Sequence, residues 1–154
     1  EAIRARGNEY GATTGRPRRC GWLDAVVLRY AVRINGVDTV ALTKLDVLDQ
    51  CDTVKICTSY RYRGETLTEF PEEETVLAEA EPVYEEVSGW LAPTDGARNE
   101  ADLPAKARQY LDRLQELIGV PFCLISTGAV RHDTILCEDS PLLSWFPSVR
   151  GSLF

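Results

Sequence analysis

A short segment near the start of the chain combines small, hydroxyl-bearing and basic residues in a pattern that suits anion binding. It reads Gly11-Ala12-Thr13-Thr14-Gly15-Arg16-Pro17-Arg18. Glycine lets the backbone approach a ligand, threonine offers a hydroxyl, and the arginine fork matches carboxylate or phosphate oxygens. We expect the segment to run directly into a helix that begins near Gly21, whose first amides would also favour an anion. The composition of this basic loop therefore predicts a binding site for a carboxylate or phosphate. The alternative is a solvent-exposed loop that binds no ligand.

A second candidate, Thr43-Lys44-Leu45-Asp46, follows an apolar, β-branched stretch that predicts a buried strand over Val37–Thr43. Guanine presents two neighbouring donors, N1–H and N2–H, and one carboxylate accepts from both. Adenine presents an acceptor at N1, so Asp46 would repel it. The stem of Lys44 would lie along the base or support the loop. The pattern predicts guanine recognition, and a surface lysine and aspartate after a strand are the alternative.

The tripeptide Ser126-Thr127-Gly128 follows a second apolar run, Pro121 to Ile125, which also predicts a buried strand. Its backbone amides and hydroxyls would complete a guanine pocket opposite Asp46. Without that carboxylate, the tripeptide would indicate only a turn.

The sequence offers no further catalytic or metal-binding group. His132 is the single histidine, and although Asp133 follows it, we interpret it as incidental rather than as a general base. No cluster has metal-ligand spacing, and no glycine-rich phosphate motif is present. We therefore predict no catalytic residue and no metal ligand in these residues.

Composition indicates a single globular domain, or a large piece of one, in the cytoplasm. The chain has 154 residues, a net charge of −7 and an isoelectric point near 4.8, which argue against general binding to nucleic acid or to acidic membranes. Its five cysteines form no C-x-x-C pair, so we expect reduced thiols. No apolar run approaches the roughly 20 residues of a membrane span. Because the chain lacks methionine and opens on Glu1, we expect a processed protein or a fragment.

Apolar periodicity predicts two amphipathic helices among several strands, which together indicate an α/β fold. The first helix begins near Gly21-Trp22, carries its apolar residues from Leu23 to Ile34, and ends at Asn35-Gly36. The second begins with Asp102 as its N-cap and ends at Gly119. Residues 1–20 are predicted to be loop and residues 69–81 an extended acidic connection. Besides the two strands already described, strands are expected over residues 54–61, 66–70, 82–87 and 134–137, with residues 63–65 forming a hairpin turn.

Several longer motifs resemble those of one family, adenylosuccinate synthetase, over about residues 1–138. They include Gly7-Asn8-Glu9-Tyr10-Gly11 with the basic loop, Leu42 to Asp49, Pro82 to Glu85, Leu117 to Pro121, and Ile125 to Gly128, in the order of the family. The resemblance implies a P-loop-GTPase-like mixed sheet with flanking helices, of which this chain would be the C-terminal part. It also implies a ligase that joins L-aspartate to IMP with hydrolysis of GTP in AMP synthesis, with Mg²⁺ as cofactor and a homodimeric assembly.

The resemblance assigns roles to the residues singled out above. The basic loop would bind aspartate through Ala12, Thr13, Thr14, Gly15, Arg16, Pro17 and Arg18. Arg16 would also contact IMP, and Arg18 would approach GTP. Guanine would be held by Lys44, Leu45, Asp46, Ser126, Thr127 and Gly128.

The chain also departs from the family pattern. The family's N-terminal half, with its phosphate loop, aspartate base, Mg²⁺ ligand and catalytic histidine, has no counterpart here, so we expect the chain alone to be inactive. Residues 139–154 match no family ending and are predicted to be an atypical tail. A non-catalytic guanine-nucleotide-binding module and a truncated remnant are the alternatives.

Overall fold

The computed structural model describes residues 1–138 and 140–147, which form an α/β fold with two sheets and flanking helices. The helices are α1 (Ala2–Arg6), α2 (Ala25–Asn35), α3 (Glu74–Glu79), α4 (Ala105–Ile118) and α5 (Leu142–Trp145). The strands are β1 (Leu23–Asp24), β2 (Val40–Leu42), β3 (Thr53–Tyr62), β4 (Glu65–Leu67), β5 (Glu81–Ser88), β6 (Phe122–Ser126) and β7 (Thr134–Leu136). The predicted fold class, a mixed α/β arrangement, is confirmed.

Each sheet combines parallel and antiparallel pairs around one central strand. In the first sheet, β3 pairs with β1 in parallel and with β4 and β5 in antiparallel orientation. In the second sheet, β6 pairs with β2 in parallel and with β7 in antiparallel orientation. The parallel β2–β6 pair directs the carboxyl ends of both strands to the same edge.

Helix α2 is capped at both ends by residues that favour helix termini. A carboxylate oxygen of Asp24 accepts hydrogen bonds from the amides of Val26 and Val27, at 2.9 and 3.1 Å. At the other end, Gly36 adopts the left-handed conformation, with φ of 60°, as a C-cap. The predicted end is confirmed, but the helix begins at Ala25 because residues 23–24 pair with β3 instead.

Helix α4 buries the predicted apolar stripe and stops at Gly119, whose φ is 81°. Its buried side chains are those of Ala107, Tyr110, Leu111, Leu114 and Ile118. The predicted N-cap is wrong. Asp102 instead accepts from the amides of Arg98 and Asn99, both at 3.0 Å, within a preceding 3-10 turn, and Pro104 occupies the N-cap position.

Three other predictions need correction. Residues 1–20 and 69–81 are not entirely without regular structure, because they contain the short helices α1 and α3. The strand predicted over Val37–Thr43 is only three residues long and half-buried, because β2 forms an edge of its sheet. The period-two pattern of residues 54–61 predicts a half-exposed strand with alternating burial, but a register shift between Cys57 and Ser59 interrupts the alternation and both side chains are buried.

The core lies between α4, α2 and the two sheets. Its most buried members include Ala25, Leu45, Val54, Ile56, Ala107, Leu114, Ile125 and Ile135. All five cysteines are free thiols, as predicted, and burial raises the pKa of Cys57 to about 11 and that of Cys137 to about 12.

Part of the predicted tail is described. Residues 142–145 form α5, and Trp145 and Phe146 are exposed. The pair Leu153-Phe154 and residue 139, where the tail is predicted to begin, lie outside the described residues.

Among the described residues, none of the helices has both the length and the apolar character needed to cross a membrane.

Gly89 is a position where close backbone packing requires glycine. A Cβ built there would lie 1.7 Å from the carbonyl oxygen of Cys51. We predict that Gly89→Ala lowers the free energy of unfolding by about 2 to 3 kcal/mol, because backbone atoms must shift. Urea unfolding would measure this loss.

The matched control is Gly21→Ala, since a Cβ at Gly21 meets nothing within 4 Å. We expect this change to alter the free energy of unfolding by less than about 0.5 kcal/mol. Equal effects at the two glycines would contradict the packing account.

Candidate functional site

The two segments predicted to hold guanine lie side by side at one edge of the second sheet. Leu42 of β2 pairs with Ile125 of β6 in parallel register. Residues 43–46 and 126–128 therefore leave neighbouring strands in the same direction. In α/β folds, loops at the carboxyl ends of parallel strands commonly form binding sites. The structure thus brings together the two segments that the sequence singled out separately.

A sharp backbone turn positions the carboxylate of the first segment. Lys44 adopts a left-handed conformation with φ of 63°, and a 3-10 helix over Leu45–Leu48 follows it directly. The Leu45 side chain is only 1% exposed and packs in the core. Any contact of Leu45 with a ligand would therefore come from its backbone. Its buried side chain anchors the turn that carries Asp46.

Asp46 carries a buried carboxylate oxygen that has no hydrogen-bond partner in the described part of the chain. Desolvation is the main cause that raises the pKa of this carboxyl above its ordinary value, with a smaller contribution from the nearby carboxylate of Asp49. A hydrogen bond with the backbone of Asp46 itself and the charge of Lys44 oppose this rise. Buried polar atoms are usually satisfied, because an unmade hydrogen bond costs free energy. The arrangement leaves one buried acceptor without a donor among the described residues.

The second segment is held by hydrogen bonds of its own. The amide of Thr127 donates to the carbonyl of Asp133 at 2.7 Å, and its hydroxyl donates to the same oxygen at 3.2 Å. The hydroxyl of Ser126 donates to the carbonyl of Gly128 at 3.0 Å. Both hydroxyls therefore donate to carbonyl oxygens of the same loop.

Gly128 is packed tightly against Asp133. A Cβ at Gly128 would lie 2.2 Å from a carboxylate oxygen of Asp133. Arg98 holds this aspartate from the other side, with an N···O distance of 3.7 Å, and also donates to the carbonyl of His132. His132 thus contributes a backbone carbonyl to the support of the loop, and its own side chain is exposed.

The basic loop is a compact turn closed by backbone hydrogen bonds. The amide of Gly11 donates to the carbonyl of Arg16, and the amide of Gly15 donates to the carbonyl of Gly11, both at 2.8 Å. Gly15 adopts a φ of 63°, which glycine tolerates at low cost. Tyr10 and Pro17 form an isolated bridge at the base of the loop.

The arginines of this loop differ in their surroundings. The guanidinium of Arg18 donates to a carboxylate oxygen of Glu9 at 3.1 Å, and the two residues form an ion pair. Within the described residues, the exposed guanidinium of Arg16 makes no hydrogen bond or ion pair. Arg16 is therefore the cation of the loop best placed to meet an incoming anion.

The predicted contribution of a helix N-terminus to this anion site is wrong. Strand β1 separates the loop from α2, which begins only at Ala25. Two amides in the first turn of the helix, those of Val26 and Val27, are already bonded to Asp24. The other carboxylate oxygen of Asp24 accepts a hydrogen bond from the hydroxyl of Tyr60 at 2.6 Å. Anion binding at the loop would therefore depend on its own backbone, hydroxyls and arginines.

Glu9 connects the two candidate sites, and the sequence reasoning gave it no role. One of its carboxylate oxygens pairs with the ammonium of Lys44, and the other pairs with Arg18. The hydrogen bond from Lys44 is the main cause that lowers the pKa of Glu9. An acidic residue just before a basic loop is the signal in the sequence that would have drawn attention to it.

The described residues do not fit a magnesium site. No group of three or more histidine, cysteine, aspartate or glutamate side chains comes together in residues 1–138 and 140–147. None of these residues is therefore assigned to a metal.

Comparisons with known proteins agree on one family. The family model described as adenylosuccinate synthetase matches residues 1–135. The adenylosuccinate synthetase of Heliobacterium modesticaldum is 54% identical over 135 residues, which cover 88% of this chain and 32% of that protein. The enzyme of Pelotomaculum thermopropionicum is 56% identical over 137 residues, which cover 89% of this chain and 32% of that protein.

A solved structure shows the same fold. The fully ligated adenylosuccinate synthetase of Plasmodium falciparum superposes with a TM-score of 0.83 at 38% identity, over 88% of this chain and 33% of that chain. The chain therefore spans about a third of the length of the relatives it matches. On the match of the family model and the likeness in both sequence and structure, the chain belongs to the adenylosuccinate synthetase family.

Proposed function

We propose that this chain supplies the guanine pocket and the aspartate loop of an adenylosuccinate synthetase. That enzyme would ligate L-aspartate to IMP with hydrolysis of GTP in the synthesis of AMP. The observation that carries the proposal is the buried, unpartnered oxygen of Asp46 beside the loop of residues 126–128.

Asp46 would recognise guanine by accepting from N1–H and N2–H. One buried oxygen of this carboxylate has no donor among the described residues, and guanine offers two donors side by side. Adenine would place an acceptor against the same carboxylate, which repels it. Lys44 and the backbone of Leu45 would line this pocket. Residues 126–128 would supply its opposite wall, with their hydroxyls fixing the shape of the loop.

The basic loop would bind the carboxylates of aspartate. Thr13 and Thr14 would offer hydroxyls, and Arg16 would supply an unpaired guanidinium that reaches aspartate and the ribose of IMP. Arg18, which forms an ion pair with Glu9, would approach GTP. Ala12, Gly15 and Pro17 would shape the turn.

In this proposal, GTP first phosphorylates the 6-oxygen of IMP, and the amine of aspartate then displaces phosphate. The described residues supply binding groups for this sequence, and none is assigned as the general base. Mg²⁺ would accompany GTP without a ligand from these residues. We further propose a cytoplasmic homodimer for the complete enzyme and no GTP-dependent turnover by these 154 residues alone.

We predict that the chain binds GTP at least about tenfold more tightly than ATP and that Asp46→Asn removes this preference. Hydrogen bonds to a charged group contribute about 1.5 to 3 kcal/mol, which corresponds to a tenfold or larger factor in affinity. Isothermal titration with each nucleotide would measure both dissociation constants. Asp38→Asn, which removes a carboxylate from an exposed site, is the matched control. Equal binding of GTP and ATP by the unmodified chain would overturn the proposal.

The unpartnered carboxylate should also lower the stability of the ligand-free chain. Because the pKa of Asp46 is raised on folding, the folded chain holds this proton to higher pH than the unfolded chain. The stability linked to the proton is present below the unfolded pKa and is lost as pH rises through the folded pKa. The penalty is therefore larger at neutral pH than at acidic pH.

We therefore predict that Asp46→Asn raises the free energy of unfolding at pH 7 by up to about 1 kcal/mol. The gain should shrink below the ordinary carboxyl pKa of about 4. Urea unfolding at both pH values would test this, with Asp38→Asn as control. A loss of stability at pH 7 would show that Asp46 is satisfied in the folded chain.

A further inference from the structure

We propose that Glu9 is a positioning residue that sets the selectivity for guanine by holding Lys44. The inference rests on the proposed function, because it concerns how the guanine pocket keeps its shape. Glu9 lies outside the segments assigned to either ligand, yet its carboxylate contacts a residue of each.

The ammonium of Lys44 is held at two points on the segment that precedes the basic loop. It donates to the carbonyl of Gly7 at 2.7 Å and to the carboxylate of Glu9. The side chain of Lys44 is therefore directed toward α1 and its following turn rather than left free in solvent.

Fixing this side chain also fixes the turn that carries Asp46. Lys44 is a non-glycine residue with φ of 63°, a conformation that costs about 1 kcal/mol unless other contacts support it. Asp46 follows two residues later, inside the 3-10 helix that this turn starts. A lysine released by loss of Glu9 would let the turn relax and would misplace the carboxylate.

Exposure shows which member of the cluster is the fixed one. The side chain of Glu9 is 22% exposed, whereas those of Lys44 and Arg18 are 49% and 59% exposed. The backbone of Glu9 is also held, since its carbonyl accepts from the amide of Arg18 at 2.9 Å. Glu9 is thus the less exposed centre with which the two more exposed cations pair.

The test is the ratio of GTP affinity to ATP affinity in Glu9→Gln. Removing a negative charge near the triphosphate would change binding of both nucleotides alike, so a purely electrostatic effect cancels in the ratio. If Asp46 loses its position, only the recognition of the base changes, so the ratio of GTP affinity to ATP affinity falls. Exposed ion pairs contribute modestly, so we expect the ratio to fall by about twofold to fivefold. Titration calorimetry with GTP and with ATP would measure it.

Two further variants separate positioning from general damage. Glu69→Gln breaks an exposed ion pair with Arg33, at 3.1 Å, and should leave the ratio unchanged. Glu9→Asp keeps the charge and should retain at least half of the selectivity. If Glu9→Gln fails to fold, as judged by circular dichroism, Lys44→Gln decides the matter. A fall in the ratio of GTP affinity to ATP affinity would support positioning through Lys44, and an unchanged ratio would overturn it.

A double-mutant cycle shows whether the effect passes through Lys44. In a Lys44→Gln background, Glu9→Gln should lower the ratio no further. An unchanged ratio in Glu9→Gln, or an equal fall in both backgrounds, would overturn the role of Glu9 and leave the guanine pocket intact. Absence of any preference for GTP in the unmodified chain would instead overturn the proposed function, and the inference with it.

Discussion

The parallel pairing of β2 with β6 is the constraint on which the candidate site depends. It brings residues 43–46 and 126–128, which are about eighty positions apart in the sequence, to the same edge of the second sheet. The pairing is supported by the core, where Leu45 and Ile125 are each 1% exposed. A packed core and a shared strand direction thus give the two loops one fixed relation, which a guanine pocket requires.

The site combines a stable frame with an unsatisfied group. Among the described residues, one buried oxygen of Asp46 has no partner, which costs stability that the proposed binding of guanine would recover. Around it, Asp133 closes the second loop and Glu9 holds Lys44 and Arg18. The carboxylates therefore differ in use: Asp133 and Glu9 support the loops, and Asp46 remains available to a ligand.

Much of the fold and the locations of both loops could be predicted from sequence, because local rules determine them. Gly36 and Gly119 end helices as predicted, and the motif ending at Asp46 does follow a strand. Contacts between distant residues could not be predicted in the same way. Neither the bond from Lys44 to Gly7 nor the register shift near Cys57 has a local signature. The hydrogen bonds from the α2 amides to Asp24 could not be predicted either, because the apolar pattern places residues 23–24 inside the helix.

The most direct test of the account is a crystal structure of the chain with bound GDP. The account predicts that guanine N1 and N2 lie within hydrogen-bond distance of the Asp46 carboxylate, with the base between residues 44–46 and 126–128. A guanine base bound away from this edge of the sheet would contradict it. So would a bound complex in which Asp46 takes its hydrogen bonds from the protein and none from the base.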